Sequence, residues 1–140
     1  MEALVTRILT AHGLVQEFTD AGHSGKLWTV EISPRESAGF SLPLVLAREG
    51  SEFTLAQYSI GEWDVNYDPI LVFAVGSASA PPALKLSLQS VYRFHSGLRE
   101  LTADSAGELE GYAVGKLREL VERGYCDPAV AFVKRFNAKL

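Results

Sequence analysis

The sequence predicts an α+β fold: an antiparallel sheet of four or five strands with an N-terminal helix and two C-terminal helices, packed largely on one face. Three observations carry this. Period-two alternation of apolar residues is concentrated between Leu27 and Tyr92, whereas helical spacing is confined to the two ends of the chain. At 140 residues and 47% hydrophobic content the chain can form one core but would starve two, so residues 1–140 are read as a single domain with 126–140 as its C-terminal helical extension.

Taken in order, Glu2 to His12 sets Leu4, Val5, Ile8 and Leu9 at helical spacing, and Gly13 sits where a helix end favours a left-handed residue. Leu14 to Gly22 fits a helical turn through Leu14, Val15 and Phe18, or a strand through Leu14, Gln16 and Phe18. Both readings stay open here, with helix preferred. After the turn-like Gly22-His23-Ser24-Gly25, Trp28, Val30 and Ile32 share one face of a strand. Ser33 to Ser41, with Pro34 and Gly39, reads as a loop. Leu42 to Glu49 and Glu52 to Ser59 then read as a hairpin parted by Gly50-Ser51. Ile70 to Val75 is a continuous apolar run and predicts a central strand covered on both faces. Gly76 to Pro82 is a small-residue loop, and Leu84, Leu86 and Leu88 start a last strand reaching about Tyr92.

A helix follows from Ser105, which has capping-box spacing to Glu108, to a stop at Gly124. Leu109, Tyr112, Ala113, Leu117, Leu120 and Val121 form its apolar stripe. Gly107, Gly111 and Gly115 recur every four residues on it and predict a flat face for close approach to the sheet. Asp127-Pro128 reads as the N-cap and first-turn proline of a short last helix, with Ala129, Phe132, Val133, Phe136 and Leu140 on one side and Lys134, Arg135 and Lys139 on the other.

The formal charge is −4, from 13 bases and 17 acids, which argues against direct nucleic-acid binding because that role needs a basic stripe to displace counterions. The charge is unevenly placed. Glu49, Glu52, Glu62, Asp64 and Asp68 lie between Glu49 and Leu84, a stretch without Lys or Arg. That block is a solvated rim or a docking surface for a basic partner. No run of residues is long and apolar enough for a membrane span, and the N-terminus lacks the basic and apolar regions of a secretion signal, so a cytoplasmic location is expected.

No GxGxxG, GxxxxGK[ST], HExxH or GxSxG motif occurs, and no cofactor is expected. His12, His23 and His95 are scattered, and the single Cys126 can neither close an internal disulfide nor supply a cysteine-based zinc site. Cys126 precedes the expected last helix, whose dipole would favour a thiolate; an incidental free thiol is the plainer reading. Glu62, Asp64 and Asp68 offer oxygen ligands without EF-hand spacing, and no metal site is expected from them. His95 with Ser96 or a nearby acid is the raw material of a small hydrolase or transferase, with or without a divalent ion.

The most unusual stretch is Tyr58 to Asp68, read as a loop that mixes Tyr58, Trp63 and Tyr67 with Glu62, Asp64 and Asp68. Amphipathic aromatics within a polar rim are the composition of binding hot spots, and these six residues are the candidate partner-binding set. The plain alternative is that Trp63 and Tyr67 fold back over the sheet.

Leu42-Pro43-Leu44-Val45-Leu46, Phe53 to Tyr58, the Gly61-Glu62 turn, Asp68-Pro69 followed by Phe73, and Leu117-Arg118 to Gly124-Tyr125 together resemble an uncharacterised family of small proteins encoded on bacterial plasmids, phages and integrated elements. The likeness spans residues 27–125. Gln57-Tyr58 stands where that family would have His-Tyr, and Glu62 where it would have Asp. The resemblance implies a mobile-element accessory protein and brings no residue roles. The function expected is a non-enzymatic protein-binding module, of the kind that inhibits a host anti-phage or restriction complex by docking on its basic, nucleic-acid-handling surface. Self-association through an exposed strand edge is left open by the sequence.

Overall fold

The computed structural model describes residues 1–36, 38, 42–76, 81 and 83–135. Helices α1 (Glu2–Ala11) and α2 (Val15–Ser24) precede six strands: β1 (Trp28–Pro34), β2 (Leu44–Glu49), β3 (Glu52–Ile60), β4 (Val65–Val75), β5 (Leu86–Arg93) and β6 (Gly97–Glu100). Helix α3 (Ala106–Arg123) and strand β7 (Ala131–Arg135) follow. The α+β class is as predicted, but among the described residues the sheet has seven antiparallel strands rather than four or five, in the order β6-β5-β4-β3-β2-β1-β7. One described helix, not two, follows the meander.

Burial of alternate residues explains the layering. Val30 and Ile32, Leu44 and Leu46, Phe53 and Leu55, Leu71 and Phe73, and Leu86, Leu88 and Val91 line one sheet face in cross-strand register and are buried. Against this face pack Val5, Ile8 and Leu9 of α1, Phe18 of α2, and Leu109, Ala113, Leu117 and Leu120 of α3. Leu14 to Ser24 is settled as helical because Phe18 must meet Phe53 and Trp28, which it does edge-on at ring separations of 5.2 and 6.0 Å. The other face carries Val45, Ala47, Thr54, Ile70, Val72 and Ala74, all half-buried. The Ile70–Val75 run is therefore covered by helices on one face, not both.

Two glycines behave as predicted at helix ends. Gly13 (φ +66°) follows α1, and Gly124 (φ +111°) closes α3 with its N–H on the carbonyls of Leu120 and Val121. The glycine stripe of α3 does not. Gly107, Gly111 and Gly115 are exposed, and a Cβ added to any of them would meet nothing within 4 Å, because Leu109, Ala113, Leu117 and Leu120 already form the buried stripe. The capping box at Ser105 is also not closed: the Ser105 hydroxyl receives the Thr102 N–H at 2.9 Å, and Glu108 turns to Arg99 at 2.9 Å.

The predicted last helix is a turn and a strand. The Asp127 carboxylate accepts the Ala129 N–H at 2.9 Å, and its carbonyl accepts from Val130 and Ala131, so the capping chemistry read from Asp127-Pro128 serves a turn. Ala131 to Arg135 then pairs with β1, placing Val133 opposite Ile32 and Ala131 opposite Pro34. An unpaired β1 edge draws a β-branched and aromatic segment into the sheet, a long-range gain that local spacing does not report. With a turn and strand in place of the expected helix, the Cys126 thiol does not sit at a helix N-terminus, and burial pushes its pKa up. Phe136, Lys139 and Leu140 lie outside the described residues, as do much of the predicted Gly76 to Pro82 loop and part of Ser33 to Ser41.

Candidate functional site

Tyr58 to Asp68 is not a loop but the end of the β3–β4 hairpin, with only residues 61–64 as its turn. The pairs Tyr58–Tyr67, Ser59–Asn66 and Ile60–Val65 carry the two strands past the rest of the sheet, and the Gly61 N–H closes the turn on the Asp64 carbonyl at 2.8 Å. β2 pairs β3 only as far as Gln57, and β5 pairs β4 only from Ile70 onward. The hairpin therefore projects as a two-stranded arm.

The six candidate residues all fall on this arm, in different surroundings. At the tip Trp63 is 90% exposed between the exposed Glu62 and Asp64, and neither acid forms an ion pair with a described residue. Trp63 does not fold back over the sheet. Tyr67 is 42% exposed, with its ring centroid 5.7 Å from that of Tyr58. Tyr58 is half-buried at the arm's root, where its hydroxyl donates to Glu31, and burial pushes its pKa up to about 12. Asp68 accepts from Arg93 at 2.9 Å, and that guanidinium lies 4.6 Å above the Tyr112 ring of α3. The root is thus fixed to β1 and α3 while the tip is free.

A bulge makes this arrangement. Between Ala56 and Tyr58 the β3–β4 register shifts, with Asp68 and Pro69 set against the single residue Gln57. Gln57 points to the helix side, 3% exposed, with its amide donating to the Tyr125 hydroxyl at 2.8 Å, and that hydroxyl donates to the Leu42 carbonyl. Gln57 is therefore walled off from solvent and ties α3's end to the sheet.

Sequence reasoning missed Glu31 and, in the β5–β6 turn, Phe94, and it weighed His95 of that turn only for catalysis. Glu31 is 3% exposed yet lies on the helix-free face, receiving the Ser33 hydroxyl at 2.5 Å as well as Tyr58. A carboxylate alternating with Val30 and Ile32 reads as solvent-facing, so nothing local betrays it. Phe94 and His95 of the turn reach the arm. They line, with Leu42, Tyr58, Ser59, Asn66 and Asp68, a groove of about 360 Å³. His95 is exposed, with its ring edge-on to Phe94. Asp68, the acid lining that groove, is engaged by Arg93, and Ser96 lines a different depression beside Glu108.

Among the described residues no group of three His, Cys, Asp or Glu side chains is placed to hold a metal ion, and no helix is long and apolar enough to cross a membrane. No family model, no curated protein and no solved structure matches the chain.

Proposed function

We propose that this chain is a non-enzymatic protein-binding module that docks the tip and flank of the β3–β4 arm on a basic surface of a partner protein. A nucleic-acid-handling complex presents such a surface, as a host anti-phage or restriction complex would to an inhibitor encoded on a mobile element. The single observation that carries the reading is Trp63, 90% exposed at the tip of a rigidly rooted hairpin and flanked by two acids that pair with no described base. An exposed indole gains little for the isolated fold and much for an interface, where burying its large apolar surface supplies an anchor.

The test is capture from bacterial lysate by wild type and by the triple variant Trp63→Ala, Glu62→Lys, Asp64→Lys, at low and raised salt. A partner held by wild type alone, and weakened by salt, is expected. Equal capture by both proteins would sink the reading and return attention to His95 and hydrolytic chemistry.

A further inference from the structure

Among the described residues no strand lies beside the outer edge of β4 on the arm. β4 runs from Val65, but its ladder with β5 begins only at Ile70, leaving Val65 to Tyr67 paired on the β3 side alone. Antiparallel ladders alternate between pairs that exchange hydrogen bonds and pairs that do not. The Gly61–Asp64 bond fixes the phase: Ser59–Asn66 is a bonded pair, and Ile60–Val65 and Tyr58–Tyr67 are not. The backbone N–H and C=O groups of Val65 and Tyr67 consequently point outward, away from β3.

That edge opens on a groove of about 280 Å³ lined by Val65, Tyr67, Ile70, Tyr92 and Phe94. Phe94 is 66% exposed on its far wall. The sheet's terminal strands are blunted: β6 has four residues including Arg99 and Glu100, and β7 carries Lys134 and Arg135. The arm's edge, Val65-Asn66-Tyr67, has no charge and no proline.

From this juxtaposition we infer that the arm binds its partner by β-strand addition: an extended, cationic segment pairs with Val65 and Tyr67 and sets one apolar side chain into the Tyr92–Phe94 groove. The inference rests on the docking reading above and specifies its mode. Charge decides the partner's chemistry. Glu62 and Asp64 stand beside the edge, and no Lys or Arg occurs from Gly50 to Leu84. A second copy fits less well, since antiparallel self-pairing centred on Asn66 sets Asp64 of one copy against Asp68 of the other.

The probe is an end-blocked Lys-Val-Lys-Phe-Lys-Val peptide titrated into the full chain, followed by amide exchange and fluorescence. Its controls are the same peptide N-methylated at alternate residues and a Glu-for-Lys analogue. Val65→Pro removes an outward N–H without touching the β3–β4 ladder, and Val65→Ala controls for the side chain. Expected are slowed exchange at Val65 and Tyr67, at least tenfold weaker binding for the methylated peptide and for Val65→Pro, and little change for Val65→Ala. No binding at millimolar peptide, or equal binding by Val65→Pro, overturns the inference, as does a dimer of the chain alone that Val65→Pro dissolves. A lysate partner lost with the tip variant but kept by Val65→Pro would overturn strand addition while leaving the docking reading standing.

Discussion

The Tyr58 hydroxyl donates to the Glu31 carboxylate across the intervening strand β2, so the root of an exposed arm is tied to a buried acid two strands away. Ser33 supplies the second donor at 2.5 Å. Removing one of the two donors leaves an oxygen of a buried carboxylate without its partner, and the cost of taking it out of water is no longer offset. Tyr58→Phe should therefore cost about 1–3 kcal/mol, read as a lower urea midpoint with an unchanged slope. A loss below about 0.3 kcal/mol would show that Glu31 is satisfied without Tyr58.

Alkaline stability follows from the same tyrosine and from Tyr125. Burial pushes both hydroxyls from 10.0 up to about 12. A raised folded-state value favours the protonated form in the fold, so its stabilisation is complete below about pH 10 and is lost as pH rises to about 12. Unfolding free energy should fall over that window, and absorbance at the phenolate band should show Tyr58 and Tyr125 titrating late, with Tyr112 also held up by burial. A flat stability profile from pH 9 to 12 would contradict this.

Arg48 is buried, and none of the described acids pairs with it. Its guanidinium lies 4.4 Å over the Phe18 ring and donates to the carbonyls of Phe18 at 3.0 Å and Gly50 at 2.9 Å, and burial lowers its pKa. A Cβ at Gly22 would come within 2.3 Å of its Nη2. Gly22→Ala should cost about 1–3 kcal/mol by displacing a held side chain, and calorimetry should find it much milder in an Arg48→Ala background. Additive losses would mean the two do not share that space.

The exposed glycines of α3 offer the opposite sign. Gly107→Ala, Gly111→Ala and Gly115→Ala should each stabilise by up to about 1 kcal/mol, since nothing opposes the new methyl and the helix loses an entropic burden. Thermal melts of the triple variant check this, and a lowered midpoint would reveal a hidden contact on that face.

Trp63→Ala should leave stability within about 0.5 kcal/mol of wild type, because its side chain packs on nothing buried. Its emission in the wild type should be that of a fully hydrated indole. A blue-shifted Trp63 signal in the free chain would mean the tip is already covered.

Local chemistry settled much of this protein. Alternation and helical spacing placed α1, α3 and the cores of β1 to β5, since those residues are buried by the faces they share, and the acids and aromatics of the arm were legible as a composition. What local pattern could not carry was decided at long range. Ala129 to Val133 has helical spacing behind a capping Asp-Pro and reads as a helix, until the β1 edge offers it a ladder. Glu31 looks solvent-facing until Tyr58 crosses β2 to reach it. The glycines of α3 turned outward because the leucine stripe claimed the sheet, and Tyr58 to Asp68 became an arm because the ladders of β2 and β5 both stop short of it. In each case the deciding free energy belongs to a contact between residues far apart in sequence, which no window of neighbouring side chains contains.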